Sequence, residues 1–354
     1  KNKLKEKLSI HMLPLLNPDG AERFQRETAI GIDMNRDALD LSHPESRILK
    51  ELRDSLEADW GFNLHDQSRY YSAGISDKSA RFSFLAPAFN YKKEINSTTQ
   101  DAMELIALLR SFLEKKIPGH IAKYSDGFEP RAFGDNIQKW GTRTILIESG
   151  GTHNDREKQD NRRLHYLMYF VALEGIMNNS HEQYSVSDYQ KIPWNYRRMH
   201  DLLMQDVTFE YADQKFTLDL GIKQNEVEGN GHLGYRLEAR VDEIGDLHNR
   251  SAYQIFNAAS YQVEYPKLVY WLEDCQELDD LDFIKENLLN GIVLYTGNCE
   301  MKQSLHEQPF IYKKSYTDLS ENKIKLGNNP IFFLVQNDVR THILINGKLY
   351  EIGS

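Results

Sequence analysis

Three short apolar runs alternate with segments of helical periodicity in the first half of this sequence, and the alternation constrains the fold more than any other feature does. The apolar runs occupy residues 8–16, 60–64 and 144–147. Segments with apolar residues at three- and four-residue spacing follow them, at residues 48–56, about 98–116 and about 155–177. Strands that alternate with helices predict an α/β domain with a mixed, mostly parallel sheet flanked by helices.

Each apolar run ends at a polar residue that is able to take part in chemistry. Asn17 follows the first run, His65 the second and Glu148 the third. In largely parallel sheets the functional groups gather beyond the carboxyl ends of the strands. We therefore expect these three side chains to share one crevice.

The composition argues against several kinds of partner. The chain has 354 residues, 40% of them hydrophobic and 27% charged, as in soluble globular proteins of two or three domains. Its formal net charge of -10 disfavours nucleic acid and anionic membranes as partners. No run of 18 apolar residues occurs, so the sequence predicts no transmembrane segment.

The character of the sequence changes after residue 178. Residues 179–198 are polar and contain Pro193, which indicates a linker between a domain at residues 1–178 and another at residues 199–354. The second domain has short runs of β-forming residues, at residues 207–211, 216–220, 292–295, 331–335 and 342–345. One helical stretch lies near residues 281–289. We predict a β-rich accessory domain there.

The only two cysteines, Cys275 and Cys299, fit no metal-binding spacing. A chain of this length needs no disulfide to be stable, so a bond between them stays open, and with it the redox compartment.

Taken singly, the candidate site residues carry little information. An isolated histidine such as His65 is more often a core or surface residue than a metal ligand. Glu148 could cap the next helix or form an ion pair. Asn35 and Arg36 could be ordinary turn residues.

Their order is much more specific. The chain reads PLLNPDG at residues 14–20, RETAIGIDMNRD at 26–37, NLHDQ at 63–67 and TILIESGG at 144–151. These motifs, in this order, resemble those of the zinc metallocarboxypeptidases of the carboxypeptidase A type. The resemblance covers about residues 8–177, half of the chain, and implies a carboxypeptidase-like catalytic domain at residues 1–178.

The resemblance implies a single zinc ion and assigns two residues to its chemistry. His65 matches the third metal ligand of the family. Glu148 matches the carboxylate that takes a proton from the metal-bound water and passes it to the leaving amine. These roles are physically sound, because zinc lowers the pKa of its bound water and polarises the scissile carbonyl.

Three further residues match the family's substrate-binding groups. Asn35 and Arg36 correspond to the pair that grips the free C-terminal carboxylate, for which a guanidinium fork is well suited. Arg26 corresponds to the arginine that stabilises the oxyanion of the tetrahedral intermediate, and Arg23 is the alternative for this role.

One part of the family pattern is missing. The first two zinc ligands of the family lie in a His-x-x-Glu motif upstream of the Asn-Pro-Asp-Gly turn, and no His-x-x-Glu occurs in this sequence. We expect the motif before Lys1, in a longer protein of which this sequence is an N-terminally incomplete part. A naturally zinc-free relative is the alternative. Tight zinc binding by these residues alone is not expected.

Other implied features are less specific. Tyr124 lies near the position of a substrate-covering tyrosine of the family, but an ordinary half-buried loop aromatic explains it as well. Arg131 and Asp135 lie where the family sets side-chain specificity, which hints at a charged or polar substrate side chain. The resemblance also implies a sandwich-like second domain and a periplasmic or secreted protein.

Three functions follow from these observations. The first is a zinc metallocarboxypeptidase that removes the C-terminal residue of a peptide. The second is a zinc amidohydrolase that acts on N-acyl amino acids or small amides, because the Arg36 clamp would suit these substrates too. The third is a metal-free relative that only binds peptide C-termini. For each, the expected partner is a peptide or an acyl-amino-acid substrate with a free C-terminal carboxylate.

Overall fold

The computed structural model describes residues 6–228, 234–266, 268–298, 308–313 and 322–352. It divides into two compact units, Lys1–Arg197 and Arg198–Ser354. In this part of the chain, no helix is long and apolar enough to cross a membrane.

Unit 1 is built on a four-stranded sheet with the order β1-β5-β3-β4. The strands are β1 (Trp60–Asp66), β3 (Phe82–Leu85), β4 (Ile121–Lys123) and β5 (Arg143–Ser149), and a short β2 (Tyr71–Ala73) lies outside this sheet. β1 runs parallel to β5 and β3 parallel to β4, whereas β3 and β5 are antiparallel. The sheet is therefore mixed, as predicted, with two parallel pairings and one antiparallel pairing. All four residues of β3 are buried, Ser83 among them.

Helices complete the core of unit 1. They are α1 (Pro18–Glu22), α2 (Pro44–Leu56), α3 (Ser97–Glu114), α4 (Phe133–Lys139) and α5 (Gln159–Met177). Asn96 caps α3, because its side chain accepts a hydrogen bond from the backbone N–H of Thr99 at 2.9 Å. Apolar side chains of α3 and α5 pack with Phe82, Phe84 and Ile147 of the sheet in one cluster.

The first apolar run does not form the buried strand that its sequence predicts. Residues 8–16 have no regular secondary structure, and Met12 and Leu15 are 86% and 57% exposed. An apolar run forms a strand only where a neighbouring strand pairs with its backbone. In the described parts of the sheet, β1 lies at the edge and pairs only with β5.

The stretch predicted as a linker, residues 179–198, has its own secondary structure. It contains a 3-10 helix at Ser180–Gln183, α6 (Val186–Gln190) and β6 (Asn195–Arg197). β6 pairs with β2, and Tyr189 is buried with its hydroxyl hydrogen-bonded to the backbone N–H of Ala86. These elements belong to unit 1, whose boundary lies after Arg197.

Unit 2 is rich in β-structure. Its larger sheet contains β7 (Met199–Tyr211), β8 (Gln214–Glu228), β9 (Tyr235–Gly245), β10 (Ser251–Asn257), β11 (Gln262–Glu264), β15 (Phe332–Gln336), β16 (Val339–Ile345) and β17 (Lys348–Glu351). A parallel three-stranded sheet contains β12 (Leu268–Trp271), β13 (Ile292–Thr296) and β14 (Ile311–Lys313), and α7 (Leu281–Leu289) precedes β13. Alternate residues of β15 enter two different hydrophobic clusters, so this strand is buried on both faces. The sandwich-like arrangement stays a prediction.

The structure describes only one of the two cysteines that could form a disulfide bond. Cys275 is disulfide-bonded. Cys299 lies outside the described residues.

Candidate functional site

His65 and Glu148 lie side by side at the carboxyl ends of β1 and β5. These parallel strands are paired in register, so that His65 is the direct neighbour of Glu148. Side chains in register on adjacent strands point to the same face of a sheet. The two residues that the sequence analysis assigned to metal binding and proton transfer are therefore neighbours.

The Glu148 carboxyl group has an unusual affinity for its proton. Burial, together with the negative charge of Asp66, raises its pKa to about 7, although Lys158 and Arg26 act in the opposite direction. A carboxyl group with this pKa exists in both protonation states near neutral pH. It can therefore take up a proton and return it within one reaction.

His65 is held in its neutral form with one free ring nitrogen. Burial lowers its pKa, and the positive charges of Arg26 and Arg36 add to this effect. Its Nε2 atom is buried and has no hydrogen-bond partner among the residues that the structure describes. A neutral imidazole with an unused nitrogen is the form that binds metal ions.

The Asn-Pro-Asp-Gly turn shapes the loop that carries Arg26. The Asn17 side chain caps α1 by accepting from the N–H of Gly20 at 3.0 Å, and its amide donates to the Arg26 carbonyl at 3.2 Å. A Cβ atom at Gly20 would lie 2.8 Å from the carbonyl of Gln25, so only glycine fits this approach. The Arg26 guanidinium is held by Asp33 at 2.9 Å.

Asn35 and Arg36 lie on a 3-10 helix, Met34–Arg36, next to the start of α4. The Asn35 side-chain oxygen accepts a hydrogen bond from the Phe133 N–H at 3.0 Å, which leaves its NH₂ group to donate to a ligand. The Arg36 Nη1 atom donates to the Asn35 carbonyl at 2.7 Å, and its Nε atom lies 3.4 Å from Glu129.

Asp37 anchors this segment to α2. Burial acts to raise its pKa, but hydrogen bonds from the Ser42 hydroxyl and the His43 and Ser42 backbone N–H groups outweigh that effect and bring the pKa to about 2. The capped carboxylate stays charged at every ordinary pH, so the loop before α2 is fixed by a permanent interaction.

Electrostatic effects link the predicted site residues to one another. Arg26 and Arg36 act on the pKa of His65, and Arg26 acts on that of Glu148. Tyr124, at the end of β4, has a raised pKa because of burial and the charge of Glu148, while the same two arginines act to lower it. The charges of Arg26 and Arg36 are thus close enough to His65 to affect its pKa, as that of Arg26 is to Glu148, and Asn35 is adjacent to Arg36 in the chain. These residues together form the candidate crevice of unit 1. Their chemical roles stay predictions.

Lys158 carried no sequence signal, whereas Asp135 lies where the resemblance places side-chain specificity. Lys158 donates hydrogen bonds to Asp66, to the Gln67 carbonyl at 3.1 Å and to the Ser149 carbonyl at 2.9 Å, so it joins the ends of β1 and β5. Asp135 is half-buried, and this burial raises its pKa to about 6. Lys158 neither follows an apolar run nor belongs to a quoted motif, so only its position in space reveals it.

The metal-binding capacity of the described residues is limited. No group of three or more histidine, cysteine, aspartate or glutamate side chains among them could hold a metal ion. The Nε2 atom of His65 fits one ligand position, but these residues do not form a complete zinc site, which needs three protein ligands.

Comparisons of sequence find short matches to fungal carboxypeptidases. The chain is 50% identical over 50 residues to carboxypeptidase 2 of Trichophyton rubrum, and 48% identical over 50 residues to carboxypeptidase 2 of Trichophyton tonsurans. Each match covers 14% of this chain and 9% of the relative. The chain thus spans about a tenth of the curated relatives that it matches. No family model matches it.

Comparisons of structure find metal-dependent deacylases. The N-acyl-D-glutamate deacylase of Bordetella bronchiseptica, solved with zinc and a phosphonate inhibitor, has a TM-score of 0.21 and 17% identity over 28% of this chain and 18% of its own. A D-aminoacylase has a TM-score of 0.20 with the same coverage. At these TM-scores the likeness does not extend to the fold.

Proposed function

We propose that this protein is a zinc-dependent metallocarboxypeptidase that hydrolyses the C-terminal peptide bond of peptides. One observation carries the proposal. A neutral histidine with an unused nitrogen and a carboxyl group with a pKa of about 7 are direct neighbours at two strand ends, beside two arginines. The short matches to fungal carboxypeptidases agree with a hydrolase.

Arg36 and Asn35 would recognise the end of the substrate. The guanidinium and the free NH₂ group of Asn35 both donate hydrogen bonds, and a terminal carboxylate can accept from both at once. Binding at this position places the last peptide bond next to the crevice, which makes the enzyme an exopeptidase.

Glu148 would move the proton. In its ionised form it takes a proton from the attacking water, and in its protonated form it supplies that proton to the leaving amine. Arg26 would donate hydrogen bonds to the oxygen that becomes negative in the tetrahedral intermediate. Its present partner, Asp33, keeps the guanidinium positioned and limits its freedom.

His65 would contribute one ligand to the zinc ion, and the proposal requires two further ligands beyond the described residues. When bound, zinc polarises the scissile carbonyl and acidifies water. A search for His-x-x-Glu in the gene upstream of the codon for Lys1 tests this requirement. If no such motif is encoded there, the zinc assignment is wrong.

The same clamp supports a second candidate function. Arg36 and Asn35 would hold the carboxylate of an N-acyl amino acid as well as that of a peptide, so a zinc amidohydrolase fits the same residues. Turnover of a tripeptide compared with the N-acetyl derivative of its last residue separates the two. Hydrolysis of the acetylated amino acid alone would favour the amidohydrolase.

The decisive variant for both candidates is Glu148→Gln in the complete protein. We expect turnover to fall by about 10²–10⁴-fold, because the amide cannot carry the proton, while the zinc content measured by atomic absorption stays unchanged. Glu182→Gln, an exposed glutamate of unit 1, is the matched control and should leave turnover unchanged. Wild-type turnover in Glu148→Gln would refute the assignment of the proton carrier.

A further inference from the structure

Glu129 lies between two arginines at the proposed carboxylate clamp. Its Oε1 and Oε2 atoms accept hydrogen bonds from the Nε and Nη2 atoms of Arg131, each at 3.0 Å. The same Oε2 atom lies 3.4 Å from the Nε atom of Arg36. Glu129 is therefore bound tightly by Arg131 and loosely by Arg36.

The backbone around Glu129 is fixed to the segment that carries Arg36. The Ala38 N–H donates to the Arg131 carbonyl at 3.0 Å, and the Phe133 N–H donates to the Asn35 side chain at 3.0 Å. The Glu129 N–H donates to the Asp135 carboxylate at 3.1 Å. These contacts hold the two segments together and keep the Glu129 carboxylate within reach of Arg36.

We propose that Glu129 is a built-in competitor of the substrate, a carboxylate of the protein that shares the Arg36 guanidinium and leaves it when the substrate carboxylate arrives. The inference rests on the proposed function, because it requires Arg36 to receive a carboxylate. It goes beyond that function by identifying Glu129 as a determinant of substrate affinity and Arg131 as the residue that positions Glu129.

The contact distances explain how the exchange can occur without a large barrier. The substrate has to displace only the longer contact, of 3.4 Å, because Glu129 keeps both of its hydrogen bonds to Arg131. Since Arg131 holds the pKa of Glu129 at about 2, the competing carboxylate stays ionised at neutral pH. Without Arg131, the full charge of Glu129 would be available to Arg36.

Binding of a small carboxylate tests the proposal without requiring turnover. Isothermal titration calorimetry of the complete protein would use N-benzoylglycine and its amide, N-benzoylglycinamide. We expect Glu129→Gln to bind N-benzoylglycine about five-fold more tightly, since a partly exposed ion pair contributes up to about 1 kcal/mol, whereas the affinity for the amide stays unchanged. Glutamine can still accept the hydrogen bond from the Arg131 N–H, so the local turn is preserved.

Arg131→Gln should have the opposite effect. We expect it to weaken binding of N-benzoylglycine about three-fold, because Glu129 then pairs more closely with Arg36. The double variant Glu129→Gln/Arg131→Gln should bind like Glu129→Gln alone. If the loss caused by Arg131→Gln persists in the double variant, Arg131 acts on the ligand directly and its positioning role is wrong.

The outcomes also separate this inference from the proposed function. If Arg36→Ala abolishes binding of N-benzoylglycine but Glu129→Gln does not tighten it, the competitor role of Glu129 is overturned and the clamp stands. If Arg36→Ala leaves the affinity unchanged, both are overturned. Glu182→Gln serves as the control for a change of net charge at a distant exposed position.

Discussion

Each unit has a histidine close to acidic and basic side chains, but His65 of unit 1 is partly exposed whereas His200 of unit 2 is fully buried, and the charges are balanced in different ways. In the crevice of unit 1, the carboxylate of Glu148 accepts no hydrogen bond from the described residues, and the Nε2 atom of His65 is equally unused. Arg26 and Arg36, whose charges act on the pKa of His65, are partly exposed, and they contact the carboxylates of Asp33 and Glu129 respectively.

In unit 2 the charges neutralise one another. Lys223 is buried and lies 2.6 Å from Asp242, and Arg250 forms two hydrogen bonds of 2.7 Å to Glu243. A β-bulge between β8 and β9 brings both carboxylates to within 3.8 Å of His200. Each of these four charged side chains has a partner of opposite charge.

This difference in charge pairing distinguishes a group of residues that can bind a ligand from one that stabilises the fold. Buried groups that are left without partners cost folding free energy, and proteins retain them where they do chemistry. Charged side chains that are paired with one another have less capacity to bind a ligand. The four paired side chains of unit 2 are of this kind, whereas the Glu148 carboxyl group of unit 1, with its pKa raised to about 7, marks the candidate site.

The largest expected effect comes from Gly150, next to the crevice. A Cβ atom at this position would overlap the backbone carbonyl of Ala80, a main-chain group that also accepts a hydrogen bond from the Gln67 side chain. We expect Gly150→Ala to lower the free energy of unfolding of unit 1 by more than about 3 kcal/mol, measured by hydrogen exchange in β5.

Gly221→Ala in unit 2 is the matched comparison. Its Cβ atom would lie 2.6 Å from the His200 ring, a side chain that can turn away, so we expect a loss of about 2 kcal/mol. Equal losses in the two variants would show that a clash with a backbone carbonyl costs no more free energy of unfolding than a clash with a side chain.

The next effect concerns the pH dependence of unit 2. Burial and the charge of Lys223 lower the pKa of His200 to about 4, despite the opposing effect of Asp242 and Glu243. In the unfolded chain this histidine has an ordinary pKa near 6.5. The free energy of unfolding of unit 2 is therefore highest above pH 6.5 and falls by about 3 kcal/mol as the pH decreases towards 4.

Hydrogen exchange of β7–β9 between pH 4 and pH 7, corrected for intrinsic exchange rates, measures this loss. His200→Gln removes the titrating ring and should flatten the pH dependence. A slope in His200→Gln as steep as in the wild type would assign the pH dependence to other groups.

The last prediction is a gain in the free energy of unfolding, caused by a substitution in the crevice. Because the pKa of Glu148 is raised to about 7, its ionisation above that pH opposes folding. We therefore expect Glu148→Gln to stabilise unit 1 by about 2 kcal/mol at pH 8, an amount that should disappear near pH 4, where the wild-type carboxyl group is protonated. Urea unfolding followed by hydrogen exchange in β5 measures both values. A loss of stability at pH 8 would show that the carboxylate is structural.

Much of unit 1 could be predicted because its elements have strong local signals. The helical spacing of apolar residues predicts a helix at about residues 98–116, and the structure has one at Ser97–Glu114. The apolar run at residues 144–147 lies within β5, Arg143–Ser149. Such signals depend on neighbours in the sequence, which the chain carries with it.

Other features depend on residues far apart in the chain and could not be predicted. Residues 8–16 have a strand-like sequence but lack a pairing strand among the described residues. The direction of β3 is set by its antiparallel pairing with β5. Glu129 acquires its place beside Arg36 only because the segment that precedes α4 packs on the 3-10 helix at Met34–Arg36.

The sequence by itself determined which residues are candidates for chemistry, because Arg26, Asn35, Arg36, His65 and Glu148 lie in motifs whose order is informative. The tertiary structure decided what state those residues are in. The pKa of Glu148, the free nitrogen of His65 and the sharing of Arg36 by Glu129 all depend on burial and on charges contributed by distant segments. Burial and charge depend on which residues lie close together in space, and the order of residues in the sequence does not specify this.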